Sequence, residues 1–141
     1  MTQIRSRSST RRWLGSWLGV LAGLWGVTVI VIFGISQAYM IEAGTPWEIA
    51  WVIEGPAFVV LGLHLLGYVA CSAMALLAGI DRVRNINWLR LMLSLSLAFL
   101  GLSVIPFSTI GPFNWPAAVG LLASSLLLLA TPGESEARPA A

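Results

Sequence analysis

Three stretches of this chain, residues 13–41, 55–80 and 91–133, contain no aspartate, glutamate, lysine or arginine. No other feature limits the fold as strongly. An uncharged apolar run of about 20 residues, rising about 1.5 Å per residue as an α-helix, crosses a ~30 Å hydrocarbon layer. The last stretch is long enough for two helices, and Pro106 and Pro112 divide it, because proline cannot continue a helix from the preceding turn. Composition agrees. Of 141 residues, 57% are hydrophobic and 10% charged, whereas soluble domains carry roughly 25% charged residues. The expectation is an all-α integral membrane protein with four transmembrane helices, at about 13–39, 56–79, 88–106 and 115–131. They form one membrane domain over residues 13–131.

The first helix follows a polar head, residues 1–12, which carries Arg5, Arg7, Arg11 and Arg12 and reads as a disordered basic tail. A signal peptide would have an apolar segment of about 7–15 residues, and this one is far longer, so the helix is expected to stay uncleaved. Gly15, Gly19 and Gly23 recur at i, i+4 and i+8. Glycines at that spacing share a face and let another helix backbone come close, which is how helices gain packing energy in lipid. Self-association or packing within the chain would both use this face.

Thr45-Pro46-Trp47-Glu48 has the pattern of a capping box with proline at the first helical position. It predicts a short helix from Pro46 to about Glu54, with Trp47 and Trp51 on one face. This piece is expected to lie in the membrane interface or to form the protruding end of the second helix, and Gly55-Pro56 then gives a kink or a fresh helix start. The second span ends at Asp81-Arg82-Val83-Arg84, and Trp88 and Arg90 mark entry into the third. Asn114 and Pro116 suit an N-cap and an early helical position for the fourth. Residues 132–141 read as a second disordered tail.

All eight basic residues are arginine, and they lie in the head, in the 81–90 loop as Arg82, Arg84 and Arg90, and in the tail as Arg138. With four spans these segments share one side, and the other side has no arginine. Arginine-rich loops stay in the cytoplasm, so both termini are expected there, in a bacterial or archaeal plasma membrane. The opposite side holds Glu42, Glu48 and Glu54, read as solvated carboxylates. The net charge of +2 gives no reason to expect a nucleic-acid partner. Residues 13–30 also align without gaps with 88–105, pairing Trp13 with Trp88 and Gly26 with Gly101. A duplicated helical hairpin would give that match, and so would shared apolar composition.

The run Gly55–Gly79 holds the chain's one histidine, His64, and its one cysteine, Cys71. An ionisable side chain within a span is a candidate site. Counted from Pro56, His64 is expected near the bilayer midplane. Val60, His64, Gly67, Cys71, Ala75 and Ala78 share a face lined with small residues, so Gly67, Cys71 and Ala75 are expected to pack against a helix. Tyr68, Ser94, Ser96 and Ser103 are the candidate hydrogen-bond partners of His64. The simplest role for His64 is such an interhelical bond. The alternative is a haem-ligating or quinone-contacting histidine, with Met40, Met74, Met92 or the histidine of another copy as the second haem ligand. No nucleophile–base pair, metal-ligand cluster or glycine-rich phosphate loop is present, so nothing points to an enzyme. The expected role is a non-catalytic accessory or packing subunit of a membrane complex, surrounded by lipid and by other membrane proteins or further copies of itself. The alternatives are a haem- or quinone-binding anchor and a small dimeric transporter or channel.

Overall fold

The computed structural model of the chain describes the backbone over residues 2–42, 47–80, 85–104 and 111–131, with side chains over 9–36, 59–80, 85–102 and 113–131. The described residues are helical: α1 spans Thr2–Glu42, α2 Trp47–Gly79, α3 Ile86–Val104 and α4 Gly111–Ala130. Three helices contain stretches long and apolar enough to cross a membrane, Ser9–Ser36, Val59–Gly79 and Phe113–Ala130. The apolar part of α3, Ile86–Leu102, is shorter. These lengths mark the chain as an integral membrane protein.

Several boundaries differ from the sequence expectation. Helix α1 starts at Thr2, so the head expected to be disordered is helical. Its arginines are good helix formers and no glycine or proline precedes Gly15, so a helix nucleated in the apolar segment propagates backwards at little cost. Helix α2 runs unbroken from Trp47 through Gly55-Pro56, so of the two expectations for the segment before the second span it is the extended end of α2, and no separate short helix forms there. A proline there removes one backbone hydrogen bond without ending the helix. Helix α4 begins at Gly111. Pro112 takes the early position where a missing N–H costs nothing, and Asn114 lies inside the helix instead of capping it. Thr45 and Pro46, on which the capping box rests, fall outside the described residues, as do Asp81, Arg82 and Arg84.

Helix α1 packs along α2 on one side and α4 on the other, α4 also packs along α3, and α2 meets α3 more sparsely. Two runs of close approach give the register. Along α1 and α2, Ser16 lies by Gly79, Gly19 by Ala75, and Gly23 and Gly26 by Tyr68. Along α1 and α4, Gly15 lies by Leu128, Gly19 by Ser124 and Ala22 by Gly120. Numbers rise on α1 as they fall on its partners, so both pairs are antiparallel.

The interior stripe follows helical spacing. On α2 it is Leu61, Tyr68, Cys71, Ala75 and Ala78, and on α4 it is Asn114, Ala117, Ala118, Leu121, Ser124, Ser125 and Leu128, all buried. Most of these side chains are small, which lets helix axes approach and replaces a hydrophobic driving force that lipid does not supply. Large apolar side chains point outward instead: Leu21, Trp25, Ile32, Leu63, Leu66, Val69, Leu91 and Leu126 are all exposed. In water such a surface would aggregate, and in hydrocarbon it is solvated.

Candidate functional site at His64

The glycines place the helices around the site. A Cβ on Gly19 would stand 2.5 Å from the Ala75 Cβ of α2, 2.5 Å from the Ser124 Oγ of α4 and 3.2 Å from the Met92 Cε of α3. One missing methyl group therefore lets all four helices meet. Gly15 faces Leu127 and Leu128, and Gly23 faces Ser72 and the Tyr68 carbonyl. This face is filled by α2 and α4 of the same chain, so it is not a surface left over for a second copy. On α2, Gly67 faces the Phe99 ring of α3, and Cys71 and Ala75 are fully buried.

Since Ala75 and Ser124 are level at Gly19, depth can be counted outward along both helices at about 1.5 Å per residue. His64 is then level with the first turn of α4, and Cys71 with its middle. The histidine sits nearer one end of the four-helix region than the midplane position expected from Pro56.

His64 Nδ1 lies 2.8 Å from the carbonyl oxygen of Val60, one turn back on its own helix. A carbonyl oxygen only accepts, so Nδ1 donates, and in the neutral ring Nε2 is left as a bare acceptor. The ring lies against Phe99 with centroids 5.3 Å apart and planes tilted by 30°, and Tyr68 is 6.5 Å away. The histidine is half-buried, at the sparse contact between α2 and α3. Two of its expected partners bond elsewhere. Ser94 donates to the Arg90 carbonyl and Ser96 to the Leu93 carbonyl, both within α3. The Ser103 side chain lies outside the described residues, and the Tyr68 hydroxyl makes no hydrogen bond.

Neither described methionine can share an iron with His64. Met74 lies ten residues further along α2, roughly 15 Å at helical rise. Met92 is buried at the Gly19 layer, a similar distance away. The Met40 and Glu54 side chains lie outside the described residues. No group of three metal-binding side chains occurs among the described residues.

Two buried polar groups are prominent here in a role the sequence did not suggest, one expected as a partner of His64 and the other as a helix N-cap. The Tyr68 hydroxyl and the Asn114 carboxamide oxygen are both buried without a hydrogen-bond partner. The Tyr68 ring is clamped between Gly26, whose Cβ would stand 2.7 Å from it, and Phe99 at a centroid distance of 4.6 Å. The signal for Asn114 was its place on the inward stripe with Ala117, Ala118 and Leu121, which the N-cap pattern masked. Nearby, Trp25 Nε1 donates to the Phe113 carbonyl at 3.1 Å, joining α1 to α4. Deeper in the bundle Ser124 Oγ donates to the Gly15 carbonyl at 2.6 Å.

Of the topology-determining arginines, Arg11 and Arg90 are exposed and Arg12 is half-buried. Arg5 and Arg7 lie on the first turns of α1, with side chains outside the described residues. Fold and site together define a helical membrane protein with a closely packed interior and one half-buried histidine. Compared with family models, with curated proteins and with solved structures, the chain matches none.

Proposed function

We propose that this chain is a four-span membrane protein with both termini in the cytoplasm, serving as a non-catalytic accessory subunit of a membrane complex. Helix α3 is the fourth span: its 19 residues reach about 28 Å, close to the hydrocarbon thickness. The first turns of α2, with Trp47 and Trp51, then lie at the outer headgroup layer. The observation that carries the accessory reading is the interior itself. Its side chains are mostly alanine, serine, cysteine and leucine in direct contact across glycines, and such an interior holds helices together without carrying a pathway or reacting group. Gentle extraction in mild detergent tests it: one membrane protein should co-purify in fixed ratio at endogenous expression. Recovery of the chain alone after cross-linking in the intact membrane would sink the reading.

A second reading has its own support. His64 presents Nε2 as an acceptor while Nδ1–H is held by a backbone carbonyl, the posture of a histidine that ligates a metal or accepts a hydrogen bond from a quinol. A haem would need its second ligand from another chain, given where Met74 and Met92 lie. A Soret band, or a co-extracted quinone, lost in His64→Ala would establish this reading over the first. The transporter reading gains nothing from the packing. A duplicated hairpin with two-fold symmetry would make the α1–α4 and α2–α3 contacts alike, and they are unlike.

A further inference from the structure

We infer that the Tyr68 hydroxyl and the Asn114 carboxamide are bridged by a hydroxyl-bearing guest, water or the hydroxyl of a small organic molecule, held between α2 and α4 near the outer end of the four-helix region. Both side chains are more than nine-tenths buried, and both the phenol oxygen and the carboxamide oxygen lack a partner. Native interiors rarely leave such groups unpaired, and an enclosed polar pair is commonly joined by an ordered water.

Register puts the two at neighbouring depths in the bundle. Ala75 and Ser124 are level at Gly19, so seven residues outward from each, Tyr68 is level with Ala117. Asn114 is one turn further out on the same inward stripe. A helical side chain leans towards the N-terminus of its helix, which on α2 is outward, so the phenol reaches towards the Asn114 layer. The ring cannot swing away to lipid, because Gly26 and Phe99 hold its two faces.

Chemistry then selects the guest. The phenol donates and accepts, and the carboxamide oxygen accepts only. A group joining them must give a hydrogen bond to Asn114 while also satisfying Tyr68. A hydroxyl does both, whereas a quinone or ketone carbonyl, which only accepts, leaves Asn114 unpaired. This site is independent of any ligand at His64 Nε2, and it stands whether or not the chain has a partner subunit.

The test is a double-mutant cycle on the full chain purified in detergent, with Tyr68→Phe, Asn114→Leu and the double variant. With a bridging hydroxyl, each single change lowers the folded-to-unfolded ratio about 5- to 10-fold, and the double variant loses little more than either single one. If Tyr68→Phe leaves that ratio unchanged or raises it, or if the two losses simply multiply, the bridge does not exist. Magnetisation transfer in the unsubstituted protein covers the case in which the variants fail to fold. Tyr68 ring protons should receive it from water or from guest protons, and no transfer from either overturns the inference. Native mass spectrometry separates the sources. An added organic mass absent from Tyr68→Phe assigns the hydroxyl to an organic guest, and coupling without added mass assigns it to water.

Discussion

At the scale of single residues, the glycines differ sharply in what they do. Gly23 has the Ser72 hydroxyl and the Tyr68 carbonyl oxygen where its Cβ would be, and that serine is already tied to the same carbonyl at 2.9 Å. A methyl group there meets backbone that cannot rotate away. Gly62 and Gly34 have nothing within 4 Å of the same position. Gly23→Ala is therefore expected to destabilise the bundle by about 1–3 kcal/mol through overpacking. Gly62→Ala should be neutral, or stabilising by roughly 0.5–1 kcal/mol from lost chain entropy. Unfolding of the two variants side by side in detergent checks this, and equal effects would show that glycine content, not contact, governs the helix. The i, i+4 spacing made the glycine face legible in the sequence. It could not reveal that α2 and α4 of the same chain occupy it, because spacing defines a face and not its neighbour. His64 shows the same limit. Its place on an inward face was readable, but its bond to Val60 was not, since a carbonyl one turn back on the same helix is open to any side chain that can turn towards it.

Among the helices, α1 is the post on which α2 and α4 are mounted, and side-chain hydrogen bonds cross the α1–α4 seam. Ser124 donates across the seam to Gly15, and Trp25 to Phe113, whereas Ser125 donates to the Leu122 carbonyl on its own helix. Ser124→Ala should cost about 1 kcal/mol, the scale of an interhelical bond in lipid, and Ser125→Ala well under that. Comparable losses in the two variants would mean that the crossing bond adds nothing to the seam. Element ends were the least readable part of the fold. The N-cap pattern fitted Asn114 while Gly111-Pro112 also allowed a start, and one sequence cannot rank two acceptable starts. The choice matters because it moves Asn114 from a solvated cap to the buried stripe. At the other extreme, the arginine-rich head has no helix breaker before Gly15, and helix there follows from propagation although composition alone suggested a tail.

For the whole molecule, the helices are unequal, and that inequality predicts where the membrane should lie. Helices α1 and α2 have 41 and 33 residues, α3 and α4 have 19 and 20. At about 1.5 Å per residue the shorter pair matches a ~30 Å hydrocarbon layer, so with four spans, as proposed, the layer is expected to coincide with α3 and α4. Counting from Gly19, the start of α1 is then expected to project from one face, and the end of α1 with the start of α2 from the other. Trp13 and Trp17, exposed with rings 5.8 Å apart, fall level with the end of α4, where a tryptophan belt belongs. The start of α1 carries Arg5, Arg7, Arg11 and Arg12, and with four spans Arg82 and Arg84 are expected on the same side, so arginine retention predicts that this face is cytoplasmic. Cysteine accessibility decides it. Cys71 is the chain's one cysteine and fully buried, and Cys71→Ala keeps a small residue on the interior stripe, giving a thiol-free background. In that background Asn87→Cys should react with a membrane-impermeant maleimide only after the cells are opened, and Thr109→Cys should react in intact cells. The reverse pattern would invert the protein, and labelling of both positions in intact cells would remove α3 as a span.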